Sequence, residues 1–385
     1  GLFRSRGDSS ASAAADFHVA PDALPAPLAH PTAERCASRI RAPAVRAEFL
    51  KIPVHEYAET RELKVVVGTW NVNGRVPPDG LQLSEWLQTA RCRPDIVVVG
   101  LQECVPLTPG QVLAAENPRA TAPWESLLAQ ELNGDVGADP AYTRVASKQL
   151  VGVYCTVWAA LPVASAVSEV RAVSVACGVL NIFGNKGGVA VWFRVHDTPV
   201  AVVCAHLSSG SKAGDELKRN SDYAAVAAGV QFPADAARLL PAASLQDADA
   251  ALFFGDFNYR LAAADSEVRT TLEEGHPERL LPADQLNRER AAGRAFRGYE
   301  EGPVTFPPTY KFRRFTDEYA GSALNAHENA GEKTRTPAWC DRVCFRGPDV
   351  LRQEAYGSVP SLRFSDHKPV RAEFVLSAAR VDAAE

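Results

Sequence analysis

From Arg61 onward the chain is built of short apolar, β-branched runs, each bordered by a polar cluster. Leu63–Val67 runs into Gly-Thr-Trp-Asn, Ile96–Leu101 into Gln102-Glu103, Val200–Ala205 into His206, and Ala251–Phe254 into Gly-Asp-Phe-Asn. Val189–Val195 alternates and leads to a His-Asp turn, and Pro369–Leu376 follows Ser-Asp-His. Runs of this length and β-branched content predict strands. Helical patterns fall at Leu81–Ala90, Trp124–Leu132, Asp215–Val230 and Asp265–Glu274, with Asp215 as the expected N-cap of the third. Strands mixed with helices predict an α/β domain with a stacked-sheet core.

Composition narrows what such a domain can do. With 46% hydrophobic residues over 385 positions, the core needs no disulfide or structural metal. A net charge of −5 provides no basic field for nucleic acid, so an anionic substrate requires local positive charge or a metal. The eight cysteines include no CxxC pair, which reads as free thiols in a reducing, cytoplasmic setting. No apolar run is long enough to span a bilayer. Residues 1–60 open on an Ala-, Pro- and Ser-rich stretch and are expected to be a linker or poorly ordered tail. Residues 61–378 are expected to form the folded domain, and 379–385 a C-terminal tail.

The residues able to do chemistry gather at the strand ends, where a rigid scaffold presents reactive groups. A carboxylate at Glu103 follows a buried run, so it must be paired or bind metal. Asn71 offers a second hard oxygen, and Mg²⁺ favours one or two carboxylates plus water and phosphate oxygens. Asp256 and Asn258 alternate, so in an extended chain both point the same way, the carboxylate to a water and the amide to a phosphate oxygen. Gly255 would let a substrate approach the backbone. His206 and His367 can donate to a phosphoryl oxygen. Asp366 points away from its neighbour His367 in a strand, which suits it to metal or water. Taken singly, Glu103 reads better as a salt-bridged strand end and Asp256-Asn258 better as a polar turn after a strand. Lys186, in a glycine turn, Lys311 beside Tyr310, Lys333 and Arg335 are the candidate phosphate cations. Arg313, Arg314 and Arg342 individually read as solvated charges.

In this order the segments resemble the inositol polyphosphate 5-phosphatase family. The resemblance rests on Gly68–Gly74 (GTWNVNG), Leu101-Gln102-Glu103, Asn185–Val189 (NKGGV), His206-Leu207 with Arg219-Asn220, Gly255–Arg260 (GDFNYR), Pro308–Lys311 (PTYK), Pro337–Val343 (PAWCDRV) and Ser365–Pro369 (SDHKP), over residues 62 to 376. It implies a four-layer sandwich of two packed mixed sheets flanked by helices, like deoxyribonuclease I and the AP endonucleases. It also implies Mg²⁺-dependent hydrolysis of the 5-phosphate of phosphoinositides, with soluble inositol polyphosphates as further substrates.

Carried onto matching positions, Glu103 and Asn71 look like the metal residues, Asp256 the water activator and Asn258 its helper on the phosphate. His206 and His367 look like phosphate-stabilising histidines, Asp341 like the carboxylate that orients His367, and Asp366 like a contact of the metal or its waters. Lys186, Tyr310, Lys311, Lys333 and Arg335 look like substrate contacts, the last four to a 4-phosphate. The resemblance further implies a monomeric catalytic domain, peripheral at a membrane surface, with no nucleic-acid partner. Phe257, where Leu is usual, reads as a packing change, and Trp192 replaces a smaller or basic residue. The rival readings are a nuclease of the same fold group and an inactive phosphoinositide-binding module.

Overall fold

The structure, a computed structural model, describes residues 31–38, 40–105, 116–134, 141–177, 186–321 and 334–381. Its strands, in chain order, are β1 (Ala58–Asn71), β2 (Ile96–Gln102), β3 (Tyr142–Leu150), β4 (Val153–Ala160), β5 (Val167–Ala176), β6 (Gly187–Val195), β7 (Thr198–His206), β8 (Gln231–Phe232), β9 (Ala243–Ser244), β10 (Ala250–Asp256), β11 (Asp341–Arg346), β12 (Leu351–Ser358) and β13 (Val370–Val381). Six of them make one sheet in the order β12-β13-β1-β2-β4-β3, and five make a second, β11-β10-β7-β6-β5.

Each sheet holds one parallel pair flanked by antiparallel neighbours: β1 with β2, and β7 with β10. These central strands are apolar on both faces because both faces are covered. Ile96 and Val98, Val202 and Cys204, and Leu252 and Phe254 fill the space between the sheets. Val97 and Val99 face outward under Trp86 and Trp124, while Val203 and Phe253 face outward under Val226 and Phe296. The result is the expected four-layer sandwich.

Alternation along the strands also determines what lies at their carboxyl ends. Thr69 and Asn71 continue the inward parity of Val65 and Val67, Gln102 that of Val98, His206 that of Cys204, and Asp256 that of Phe254. The apolar inter-sheet core therefore becomes polar at one end.

Several elements differ from the sequence reading. The helix expected over Leu81–Ala90 shrinks to Ser84–Leu87. Gln88 turns left-handed at φ 56°, and the Trp86 indole donates to the Val370 carbonyl at 2.9 Å, so tertiary anchoring decides this segment. Gly214 caps the helix Asp215–Gly229, and Asp215 is its first residue, its carboxylate accepting from the Lys212 amide and Lys218. Arg342 is not solvated but fully buried. The expected limits of 61 and 378 fall inside a strand pair, since Ala58 pairs with Val381. Short helices at Pro31–Ala37 and Pro43–Phe49 precede it, and Ala33, Tyr57, Ala58 and Ala379 bury a small cluster there. Among the described residues, no helix is long and apolar enough to cross a membrane, and all eight cysteines are free thiols.

Candidate active site

The polar end of the inter-sheet core is assembled by the two parallel pairs. Asn71 is in register with Gln102 in one sheet, and Asp256 with His206 in the other. Asp256 lies at the centre. Its Oδ2 accepts from Asn71 Nδ2 at 2.9 Å and lies 3.2 Å from His206 Nε2 and 4.0 Å from His367 Nε2. Its Oδ1 accepts the Asn258 amide at 3.0 Å. Burial raises the proton affinity of this carboxyl, but His206, His367 and Lys186 outweigh it and hold Asp256 well below the usual carboxylate range.

His367 is held from its other side. Its Nδ1 lies 2.8 Å from Asp341 Oδ2, which also accepts the Thr309 hydroxyl at 2.6 Å. Burial alone would lower the imidazole, but Asp341 first, then Asp256 and Asp366, raise it to about 9. His367 is therefore an imidazolium at neutral pH, with Nε2–H facing Asp256. The Trp70 indole fixes its backbone carbonyl at 3.0 Å. Asp341 Oδ1, fully buried, has no hydrogen-bond partner among the described residues.

Glu103 closes the arrangement on the solvent side, with a side chain 29% exposed. Its Oε1 accepts from Asn71 Nδ2 at 3.3 Å and lies 3.9 Å from His206 Nε2. Lys186 Nζ sits 2.5 Å from His206 Nε2. Burial lowers the Lys186 ammonium, against the pull of Asp256 and Glu103.

The structure thus brings together Asn71, Glu103, His206, Asp256, Asp341, His367 and Lys186. Tyr310 joins them by stacking on His367 with ring centroids 4.4 Å apart. Asp366 meets Lys311 at 3.9 Å and the Ser365 hydroxyl at 3.4 Å. The Arg335 carbonyl accepts from Arg269 at 3.1 Å. Lys333 and Asn185 lie outside the described residues.

Two local expectations are corrected. Asn258 is not extended: at φ 58° it turns left-handed, so the same-face argument for Asp256 and Asn258 fails. The turn places its amide N–H on Asp256, its Nδ2 on the Leu207 carbonyl at 3.1 Å and its Oδ1 on Arg260 at 2.5 Å. Glycine at 255 serves strand packing, since with φ 144° a Cβ there would lie 1.9 Å from the Ala205 carbonyl oxygen. Gly187 repeats this, 2.1 Å from the Val175 oxygen, so Lys186 precedes a strand and not a glycine turn.

Known proteins share this chain over most of its length. The family profile described as Endonuclease/Exonuclease/phosphatase family 2 matches residues 68–373. Type I inositol polyphosphate 5-phosphatase 8 of Arabidopsis thaliana is 37% identical, over 81% of this chain and 70% of the relative. Type IV inositol polyphosphate 5-phosphatase 9 of the same plant is 37% identical, over 87% of this chain and 83% of the relative. The chain belongs to the inositol polyphosphate 5-phosphatase family.

Among solved structures, the inositol polyphosphate 5-phosphatase domain of SPsynaptojanin, in complex with inositol (1,4)-bisphosphate and calcium, superposes with a TM-score of 0.73. It is 32% identical, covering 91% of this chain and 92% of that one. This 5-phosphatase-family chain is thus an enzyme, a phosphoric monoester hydrolase, with the expected fold. Two residues of its site escaped sequence reasoning. Thr309 and Arg260 both lie inside segments that carried the resemblance, yet only the folded contacts reveal Thr309 on Asp341 and Arg260 on Asn258.

Proposed function

We propose that the chain hydrolyses the 5-phosphate of phosphoinositides, and of soluble inositol polyphosphates, by direct in-line attack of water with Mg²⁺ as cofactor. The observation that carries this reading is Asp256 flanked by His206 and His367, with a partly exposed carboxylate at Glu103 alongside. The donor set fits a hard cation: Glu103 offers carboxylate oxygen at the mouth, Asn71 lies beside it, and no thiol faces them among the contacts described. Asn71 turns its Nδ2 to both carboxylates while its Oδ1 accepts the Asn73 amide at 3.0 Å, so it would serve the metal by holding the Glu103 carboxylate in place. When bound, Mg²⁺ would neutralise phosphoryl oxygens and the leaving alkoxide.

The chain's own residues supply the rest. Asp256 orients the attacking water and takes its proton. The two histidines and Lys186 beside it weaken it as a base, but an arriving phosphate brings negative charge that restores its proton affinity when it is needed. The His367 imidazolium donates to a phosphoryl oxygen, held by Asp341, while His206 and Asn258 face the same developing charge. Tyr310, Lys311, Lys333 and Arg335 would select a 4-phosphate next to the scissile group. The inositol (1,4)-bisphosphate bound by the SPsynaptojanin domain, with a 4-phosphate and none at position 5, fits the product of such a reaction. A cytoplasmic, membrane-peripheral setting follows from a lipid substrate. Phosphate release from phosphatidylinositol 4,5-bisphosphate vesicles and from inositol 1,4,5-trisphosphate, with and without Mg²⁺, tests the proposal. Cleavage of a plasmid or other nucleic acid with no phosphate release from either inositide would refute it.

A further inference from the structure

Arg260 is buried, with 8% of its surface exposed, yet it forms no ion pair among the described residues. Its guanidinium is spent on Asn258 and Tyr310. Nε donates to the Asn258 carbonyl at 3.0 Å and an Nη to Asn258 Oδ1 at 2.5 Å. The guanidinium carbon lies 4.7 Å from the centroid of the Tyr310 ring, whose own centroid is 4.4 Å from that of His367. The backbone is fixed as well, Gln285 accepting from the Arg260 amide and donating to its carbonyl, both at 2.9 Å. The charge of Asp256 and the Tyr310 side chain help keep this guanidinium charged despite burial, yet its two hydrogen bonds to Asn258 fix which end of that amide it faces.

The orientation has a chemical meaning. A carboxamide presents an acceptor at one end and two N–H donors at the other, and only its partners decide which end faces the site. With Oδ1 held by Arg260, the donor end must lie opposite. One N–H goes to the Leu207 carbonyl, leaving the second for a phosphoryl oxygen. With the amide reversed, an oxygen would face an anion.

We propose that Arg260 is a positioning residue for hydrolysis, acting through Asn258: it locks the carboxamide with its N–H end toward the phosphoryl site, and the Tyr310 ring serves as its mount. The inference rests on the role given to Asn258 above. The test is a double-mutant cycle on the full chain with Arg260→Met and Asn258→Ala, using phosphate release from inositol 1,4,5-trisphosphate with Mg²⁺. Asn258→Ala should lose on the order of 100-fold in kcat. Arg260→Met should lose roughly tenfold or more in kcat with KM nearly unchanged, and roughly twofold or less once Asn258 is already Ala. Arg260→Lys, which keeps charge and stem but not the planar fork, should show the same loss and serves if the Met variant does not fold. Equal losses in both backgrounds, or full activity of Arg260→Lys, would overturn the positioning role alone. Full activity of Asn258→Ala would overturn the reading beneath it.

Discussion

Asp341 and Arg342 are neighbours on β11, yet they belong to two charged clusters of opposite character. Asp341 shares the inward parity of Val343 and Phe345, and Arg342 the outward parity of Cys344. The outward cluster is closed. Arg342 donates to Glu301 at 2.6 and 2.7 Å, to Asp284 at 2.9 Å and to Asn287 at 3.2 Å, with Tyr356 completing Glu301. Burial works against its charge, but Asp284 and Glu301 hold it well above the usual arginine value. Each cluster keeps one buried carboxylate oxygen without a partner among the described residues, Asp341 Oδ1 and Asp284 Oδ2, but only the inward one is left open, with an exposed edge at Glu103. Matched charges sealed from water hold strands together; crowded charges beside an opening remain available to a ligand.

The sharpest way to break this comparison is to remove one member of each cluster. Arg342→Met strands two buried carboxylates and should cost about 3–5 kcal/mol of stability, read from the urea midpoint, while the molecules that remain folded keep their turnover. Asp256→Asn should weigh mainly on chemistry, losing on the order of 100-fold or more in kcat while lowering that midpoint less than Arg342→Met does. An Asp256→Asn variant that keeps most of its activity would return the inward cluster to a structural role.

A pH series sharpens the contrast further. His367 rises from about 6.5 unfolded to about 9 folded, so its stabilisation is complete below about pH 6.5 and is lost as pH climbs through 9. The melting-temperature gap between the wild type and His367→Asn should therefore narrow from pH 6 to pH 10, and kcat should fall over the upper part of that range. A constant gap would show that Asp341 does not hold the imidazolium. The smallest expected effect is Phe257→Leu. Phe257 is fully buried against Phe253 and Phe296, outside the chemistry, so the change should cost about 1.5 kcal/mol or less and leave kcat unchanged.

The comparison also explains what could be read from the sequence. Strands buried on both faces, such as Ile96–Leu101 and Ala251–Phe254, announce themselves as unbroken apolar runs, and the polar residues ending them mark the site. Strand β5 does not: every position is half-buried or exposed, so no run or clean alternation forms. Strand β11 begins with Asp-Arg, whose charges mask a strand until their separate partners are known. Arg342 was misjudged for the same reason, because Asp284 and Glu301 lie 58 and 41 residues away. The orientation of Asn258, not its place in the site, was hidden, because a left-handed turn breaks the period of an extended chain.

The hydrogen bond from Asn71 to Asp256 joins the carboxyl end of one sheet to that of the other. Neither sheet contains the candidate centre by itself; that cluster of side chains exists only at their junction. Turnover in this chain is therefore a gauge of how the two halves are docked. Partial loosening that slides one sheet on the other should silence the enzyme while its circular dichroism still reports intact strands.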